Sequence, residues 1–298
     1  MPLFDKTIRD WDDWGGIFRD AEAFAPLIRA IYAREGIACR PPERCKPGTN
    51  AVFAVGETVV KLFVPRETGY DAREDCEAER HGLSRANALG IPAPALLAAG
   101  EWEDRYFWRY LITARVRGTE YGDLALCAGQ RRALGRALRG ITDRLNVPEA
   151  ENPAFLRRAR ENPGWEELGF SASFREERLA FLDAYAPPPF VWCHADITPE
   201  NLMLTQDGAP VLIDFADAHP APQAAEHAIV AAELFRFDRA GLEGFFGEDF
   251  SPERLAEVCM EGLLTHDFGA NVIADRFGTD FPGLAALRRA LTGALETG

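Results

Sequence analysis

The sequence predicts an α+β chain in two lobes. The first is a mostly antiparallel sheet with one packed helix, and the second is mostly helical apart from a β-hairpin. Three observations carry this. Between Pro41 and Thr113, apolar residues come in short strand-length runs separated by turn residues and broken by one helical stretch. From Thr119 onward they recur mainly at the helical period. Late in that half, Leu202–Leu204 and Val211–Ile213 flank Asp207-Gly208, a strong two-residue turn signal. A chain of 298 residues, 47% of them hydrophobic, is long enough for two lobes or one large domain. The change of pattern places the boundary near residue 115, giving 1–115, with a helical extension over 1–40, and 116–298.

Taken in order, residues 1–38 read as helical, because Phe18, Phe24, Leu27, Ile28 and Ile31 recur near a 3.6 period and Gly36 ends the run. Trp11 and Trp14 are expected to cap the core from this extension. Val52–Val55 and Val59–Val64 read as strands turning at Gly56-Glu57. Asp71–Leu89 reads as a helix rich in acids, stopped before Pro92 and Pro94. Leu96–Ala99 and Tyr106–Thr113 read as a strand pair turning at Glu103-Asp104, and Arg117-Gly118 breaks the pattern. Helices are then expected over 131–146, 154–160, 174–185, 223–237, 239–246, 252–267 and 284–295.

Bulk properties exclude several classes. No apolar run is long enough for a membrane span, and the first residues hold no signal-peptide core. The net charge of −14 argues against nucleic acid and is compatible with a cationic small molecule, although solubility alone explains it. Six scattered cysteines without a Cys-x-x-Cys pair read as reduced thiols of a cytoplasmic protein without zinc. The sequence does not address oligomeric state.

The chemistry concentrates in Val191–Asp214. His194, Asp196 and Asn201 fall within eight residues, and the hairpin after them delivers Asp214 behind three apolar residues. A hairpin brings its ends together, so Asn201 and Asp214 are expected to be neighbours. An amide oxygen and a carboxylate suit a hard cation such as Mg²⁺. Of the 33 basic residues only Lys6, Lys46 and Lys61 are lysines. Lys61 stands mid-strand in an apolar run, where an ammonium must snorkel out or find an anion. Before those strands, the loop Lys46-Pro47-Gly48-Thr49-Asn50 reads equally as a phosphate loop or an ordinary turn.

The spacing His-x-Asp-x-x-x-x-Asn, followed by a strand-borne aspartate, resembles the catalytic segment of the protein-kinase-like superfamily. Its details are most similar to the aminoglycoside phosphotransferase and choline kinase group. That resemblance implies a two-lobed protein-kinase-like fold whose first lobe binds the nucleotide. It implies that Asp196 accepts or orients the acceptor hydroxyl's proton, that Asn201 and Asp214 hold Mg²⁺, and that Lys61 holds the α/β-phosphates. It selects Glu79 over Glu77 as the partner of Lys61, from its spacing to Gly90-Ile-Pro-Ala-Pro94. It assigns Gly48, Thr49 and Asn50 to the phosphates and the backbone of Ala114 and Val116 to the base, and makes His194 a structural support.

The implied reaction is transfer of the γ-phosphate of ATP or GTP, with Mg²⁺, to a hydroxyl of a small molecule, as in aminoglycoside kinases. The alternatives are a metabolic kinase for choline, ethanolamine, homoserine or a sugar, and an inactive nucleotide-binding module. Departures from the pattern bear on this. Thr198 stands where serine/threonine protein kinases carry lysine, and no Ala-Pro-Glu follows Asp214, which points away from protein substrates. Phe215-Ala216-Asp217 replaces Phe-Gly, with Asp217 read as a helix N-cap. Glu226 stands where the family's further aspartate is expected. Glu226, Glu233, Asp238, Glu261 and Asp267 are candidates to bind acceptor amino groups. Phe235, Phe237, Phe245 and Phe246 could form a cage but read more naturally as core.

Overall fold

A computed structural model describes residues 2–46, 48–247 and 250–298. Pro47, in the loop read as a possible phosphate cradle, lies outside the described residues. The chain divides into two compact units: 1–117 together with 213–217, and 118–212 together with 218–298.

The first unit opens with α1 (Trp11–Ile17) and α2 (Ala21–Glu35). Asp20 caps α2 by accepting from Ala23 N–H, and Gly36 ends it at φ 67°, where the absence of Cβ removes the left-handed penalty. Phe24, Leu27, Ile28, Ile31 and Tyr32 form its buried stripe. Trp14 is buried against Phe18, Phe24 and Trp108, but Trp11 stays 46% exposed, edge-on to Tyr70. Only one of the two tryptophans therefore caps the core.

The sheet holds β1 (Glu43–Arg44), β2 (Ala51–Val55), β3 (Thr58–Leu62), β4 (Leu96–Glu103) and β5 (Phe107–Ala114). Their order is β1-β2-β3-β5-β4, with every neighbouring pair antiparallel. β3 is central, with Lys61 between Val52 on β2 and Leu111 on β5. Between β3 and β4 runs α3 (Arg73–Ala88), whose buried residues Cys76, Glu79, Gly82, Leu83 and Ala86 follow the i, i+3, i+4 spacing of one helix face.

The second unit begins with β6 (Gly118–Glu120), followed by α4 (Ala128–Leu145), α5 (Phe155–Glu161), α6 (Gly164–Glu167) and α7 (Ala172–Ala184). Next come β7 (Phe190–Cys193), β8 (Leu202–Thr205), β9 (Pro210–Leu212) and β10 (His219–Pro222). β8 and β9 form the expected hairpin, with Leu202 opposite Leu212 and Gly208 at φ 81° in the turn, and β6 pairs with β8 on the other side. β7 and β10 form a separate antiparallel pair. No helix begins at Asp217. It lies in the turn before β10, and Pro222 flanks the next helix instead.

That helix, α8 (Gln223–Ile229), widens into a π turn over Val230–Leu234 rather than running on to Phe237 as an α-helix. Four helices follow: α9 (Arg239–Phe246), α10 (Pro252–Thr265), α11 (Gly269–Phe277) and α12 (Leu284–Thr297). α4 and α9 cross backbone to backbone. A Cβ on Gly135 would stand 2.3 Å from the Gly241 carbonyl oxygen, and one on Gly244 2.2 Å from that of Arg132. Among the described residues, no helix is long and apolar enough to cross a membrane.

Candidate active site

In the first unit, β3 and α3 bring Lys61 and Glu79 together. The Lys61 ammonium, 8% exposed, donates to Glu79 Oε2 at 2.5 Å and to Asp214 Oδ1 at 2.9 Å. Glu79 is 6% exposed, whereas Glu77 points outward from the same helix. Burial alone would lower the Lys61 pKa, but the adjacent Asp214 and Glu79 charges outweigh it and the net shift is upward, so Lys61 stays charged. Burial pushes the Glu79 carboxyl up to about 7, with the Asp214 charge adding to the rise and Lys61 opposing it.

Asp214 adopts φ 60°, a conformation that costs a non-glycine residue about 1 kcal/mol and persists only where its surroundings hold it. Two contacts do so. Lys61 grips the carboxylate, and Phe215, fully buried, lies against Gly82 on α3. A Cβ on Gly82 would stand 2.7 Å from the Phe215 Cβ. Gly82 belongs to no motif, and its one sequence signal is that a glycine in the middle of a helix marks close packing.

The loop before β2 is more occupied than expected. Asn50 is buried and its side-chain oxygen accepts from Val64 N–H at 3.2 Å, while the Thr49 carbonyl accepts from the Trp14 indole at 2.9 Å. Gly48 and Thr49 are exposed. At the end of β5 the Ala114 N–H donates to the Ala95 carbonyl, and Val116 lies half-buried two residues on.

In the second unit, β7 delivers the loop 194–201. His194 is fully buried and its Nδ1 accepts from Asp196 N–H at 3.3 Å, a supporting position. Ala195 adopts φ 64°. Glu226 on α8, also fully buried, accepts from His194 N–H at 3.1 Å, Ala195 N–H at 2.8 Å and the Asn146 side-chain amide at 3.3 Å. The Asn201 amide donates to the Asp196 backbone carbonyl at 3.0 Å and to Asp196 Oδ2 at 2.6 Å. Both donor bonds of Asn201 thus fix Asp196, and its amide oxygen Oδ1 is left as the acceptor.

Glu226 is therefore a brace of this loop and no acceptor-facing acid. Burial raises its pKa, against the lowering effect of the Ala195 and His194 amides. Partners within the unit also engage the other four acids: Glu233 with Arg276, Asp238 with Arg131 and the α9 N-terminus, Glu261 with the Tyr185 hydroxyl, and Asp267 with Arg158. Phe235, Phe237, Phe245 and Phe246 are all buried in the core. Asn146 was missed from sequence, because nothing local marks a helix-end asparagine as the partner of a residue eighty positions away.

An amide oxygen such as that of Asn201 and a carboxylate such as that of Asp214 are each, by type, hard donors that suit Mg²⁺. Among the described residues no group of three or more His, Cys, Asp or Glu side chains could hold a metal by itself.

A family model described as the phosphotransferase enzyme family matches residues 47–258. No curated protein sequence is found to match. Solved structures do. A thermostable mutant of aminoglycoside phosphotransferase APH(4)-Ia is 15% identical, with 91% of this chain and 98% of that one covered at a TM-score of 0.58. Choline kinase LicA from Streptococcus pneumoniae is 16% identical, with 91% and 98% covered at 0.56. A microcompartment-associated aminopropanol kinase is 13% identical, with 90% and 94% covered at 0.55. At these identities the likeness shows the fold, which is protein-kinase-like.

Proposed function

The chain belongs to the phosphotransferase enzyme family, and on that premise we propose that it transfers the γ-phosphate of Mg²⁺-bound ATP, or GTP, to a hydroxyl of a small molecule. The observation that carries the reading is the buried Lys61, charged and held by Glu79 and Asp214. A lysine so placed on a sheet strand binds phosphate oxygens without needing a loop to order around it.

Phosphoryl transfer asks mainly for positioning and charge neutralisation. Lys61 holds the α/β-phosphates, and Glu79 keeps its ammonium aimed. The exposed Gly48 and Thr49 offer backbone N–H groups to the phosphates, while Asn50 shapes that loop. The Ala114 carbonyl and the Val116 backbone read the base. Mg²⁺, when bound, would neutralise phosphate charge, and Asn201 and Asp214 would be the residues to hold it. Asp196, fixed by Asn201, orients the attacking hydroxyl, which is all a weak base need do for a loose transition state. Residues 1–115 serve the nucleotide, and 116–298 serve catalysis and the acceptor.

The five acids that could have bound amino groups are each engaged by the protein's own groups. The acceptor we propose is a hydroxyl compound of the kind aminoglycoside kinases phosphorylate, with choline, ethanolamine, homoserine or a sugar as the alternative. The test is a γ-phosphate transfer screen against aminoglycosides, choline, ethanolamine, homoserine and sugars. Asp196→Ala is expected to abolish transfer while nucleotide binding survives, and full transfer by that variant would refute the mechanism.

A further inference from the structure

Ala195 precedes Asp196 and holds a left-handed φ of 64°. Glu226 secures its N–H. Its carbonyl is secured from a different helix. His266, 3% exposed, follows the end of α10, and its Nε2 lies 2.8 Å from the Ala195 carbonyl oxygen. Its Nδ1 accepts from Phe268 N–H at 3.1 Å. A carbonyl only accepts and a backbone N–H only donates. The tautomer is therefore settled as Nε2–H, neutral, with both ring nitrogens engaged.

Two further features hold His266 in place. Gly262 on α10 lies so close to α8 that a Cβ there would stand 2.2 Å from the Ala224 carbonyl oxygen. α8 carries Glu226, so both arms that grip Ala195 come from helices locked together. The C-terminal end of α10 is tied down by Arg178, 2% exposed, whose guanidinium donates to the Leu264 carbonyl at 2.8 and 3.1 Å and to that of Ala159 at 2.6 Å. The same guanidinium lies 4.2 Å from the Trp165 ring centre. A cation spent on helix-end carbonyls fits the dipole there and stiffens the segment that presents His266.

We propose that His266 is a positioning residue for Asp196. Its imidazole N–H pins the Ala195 carbonyl, so the Ala195–Asp196 peptide keeps the orientation that aims the carboxylate at the acceptor. The role deepens the phosphotransferase reading and rests on it. A histidine buried only for packing would leave the loop unaltered on replacement by an apolar residue. A pinning histidine would not, because a left-handed alanine relaxes once one side is released.

Three variants, assayed by hydrolysis of Mg²⁺-bound ATP and by phosphate transfer to the aminoglycosides, choline, ethanolamine, homoserine and sugars of the screen above, test this. His266→Leu removes the donor, His266→Asn shortens it below the reach of the Ala195 carbonyl, and His266→Gln retains an N–H at the Nε2 position. In the Leu and Asn variants kcat is expected to fall about 10²-fold, the scale of a 1 Å misplacement, with the nucleotide KM unchanged. Amide hydrogen exchange over 194–201 is expected to quicken in both. Gln should restore kcat to within about fivefold and slow the exchange again. If the Leu variant does not fold, the contrast between Asn and Gln decides. Unchanged exchange, unchanged kcat, or equal losses in Asn and Gln would overturn the role while leaving the phosphotransferase reading intact. A wild type that transfers phosphate to no acceptor and hydrolyses no nucleotide would overturn the reading itself, and the role with it.

Discussion

Gly82→Ala separates a glycine that makes room for Phe215 from one that merely weakens a helix. In the middle of α3, replacing glycine by alanine should stabilise by about 0.8–1 kcal/mol from helix propensity. The geometry opposes this. The new Cβ would lie 2.7 Å from the Phe215 Cβ and 3.1 and 3.2 Å from its ring carbons Cδ1 and Cγ, and Phe215 is fully buried. Relief requires Phe215 to retreat by roughly 1 Å, an overpacking that costs about 1–3 kcal/mol. The balance is a loss of about 0–2 kcal/mol, and at the upper end the thermal midpoint should fall by roughly 4–8 °C. The larger effect should be on turnover. Asp214 is bonded to Phe215 and lies 2.9 Å from Lys61, so moving Phe215 drags its carboxylate off the ammonium. We expect kcat to drop about 10²-fold, with saturation demanding more Mg²⁺. The assay is kcat against Mg²⁺ concentration beside a melting curve. A variant melting about 2–4 °C higher with undiminished kcat would show that Gly82 is an ordinary helix glycine and refute the reasoning.

Other predictions follow from burial. Glu226→Leu leaves three donors, His194 N–H, Ala195 N–H and the Asn146 amide, without their acceptor, and at about 1–3 kcal/mol each the loss should exceed 3 kcal/mol in urea denaturation. Gly135→Ala forces a Cβ to 2.3 Å from the Gly241 carbonyl, so α4 and α9 must part, and a loss of about 1–3 kcal/mol should appear in the same measurement. Burial depresses the pKa of both His266 and His227 from 6.5 to about 4, with the neighbouring His219 lowering the first further and Arg139 the second, while Asp267 and Asp143 oppose. The unfolded chain then binds protons that the folded chain refuses. Stability is full above about pH 6.5 and is lost as pH falls toward 4, by at most about 3 kcal/mol per ring. His266→Gln should flatten part of that slope in urea midpoints taken from pH 7 to 4, and an unchanged slope would contradict the assignment.

What could be read in the sequence was local. Alternation and turn residues located β2 to β5 and the β8–β9 hairpin, because strand period and Asp-Gly chemistry act over a few residues. Lys61 stood out because an ammonium in an apolar run requires a partner, wherever that partner lies in the chain. Misreadings arose where distant contacts decide. β10 contains Pro220 and Pro222, which argue against a strand, yet among the described residues it pairs only with β7 and so loses little to the missing donors. Asp217 looked like an N-cap because an acid before a helical pattern often is one, but a strand intervenes. The helix acids looked solvated or acceptor-facing. Arg131, Arg158, Arg276 and Tyr185, which engage four of them, lie on other helices or beyond the reach of local pattern.

The two residues with most to do in the proposed reaction sit in or beside left-handed backbone, Asp214 at φ 60° and Asp196 directly after Ala195 at φ 64°. Neither position carries glycine, the residue that would adopt that conformation without cost. Glycine would also leave the segment free to adopt others, and a carboxylate aimed at a reacting centre gains from having one orientation. A side chain there makes the left-handed state costly by itself, so the surroundings must supply the difference. Lys61 and the Gly82–Phe215 contact do so in the first unit, and Glu226 with His266 in the second. Lys61, Glu226 and His266 are buried polar or charged groups, costly to bury unless paired, while the Gly82–Phe215 contact is close apolar packing. Their presence is accounted for by the orientation they impose, and Ala195→Gly should accordingly keep the fold while loosening exchange protection over 194–201.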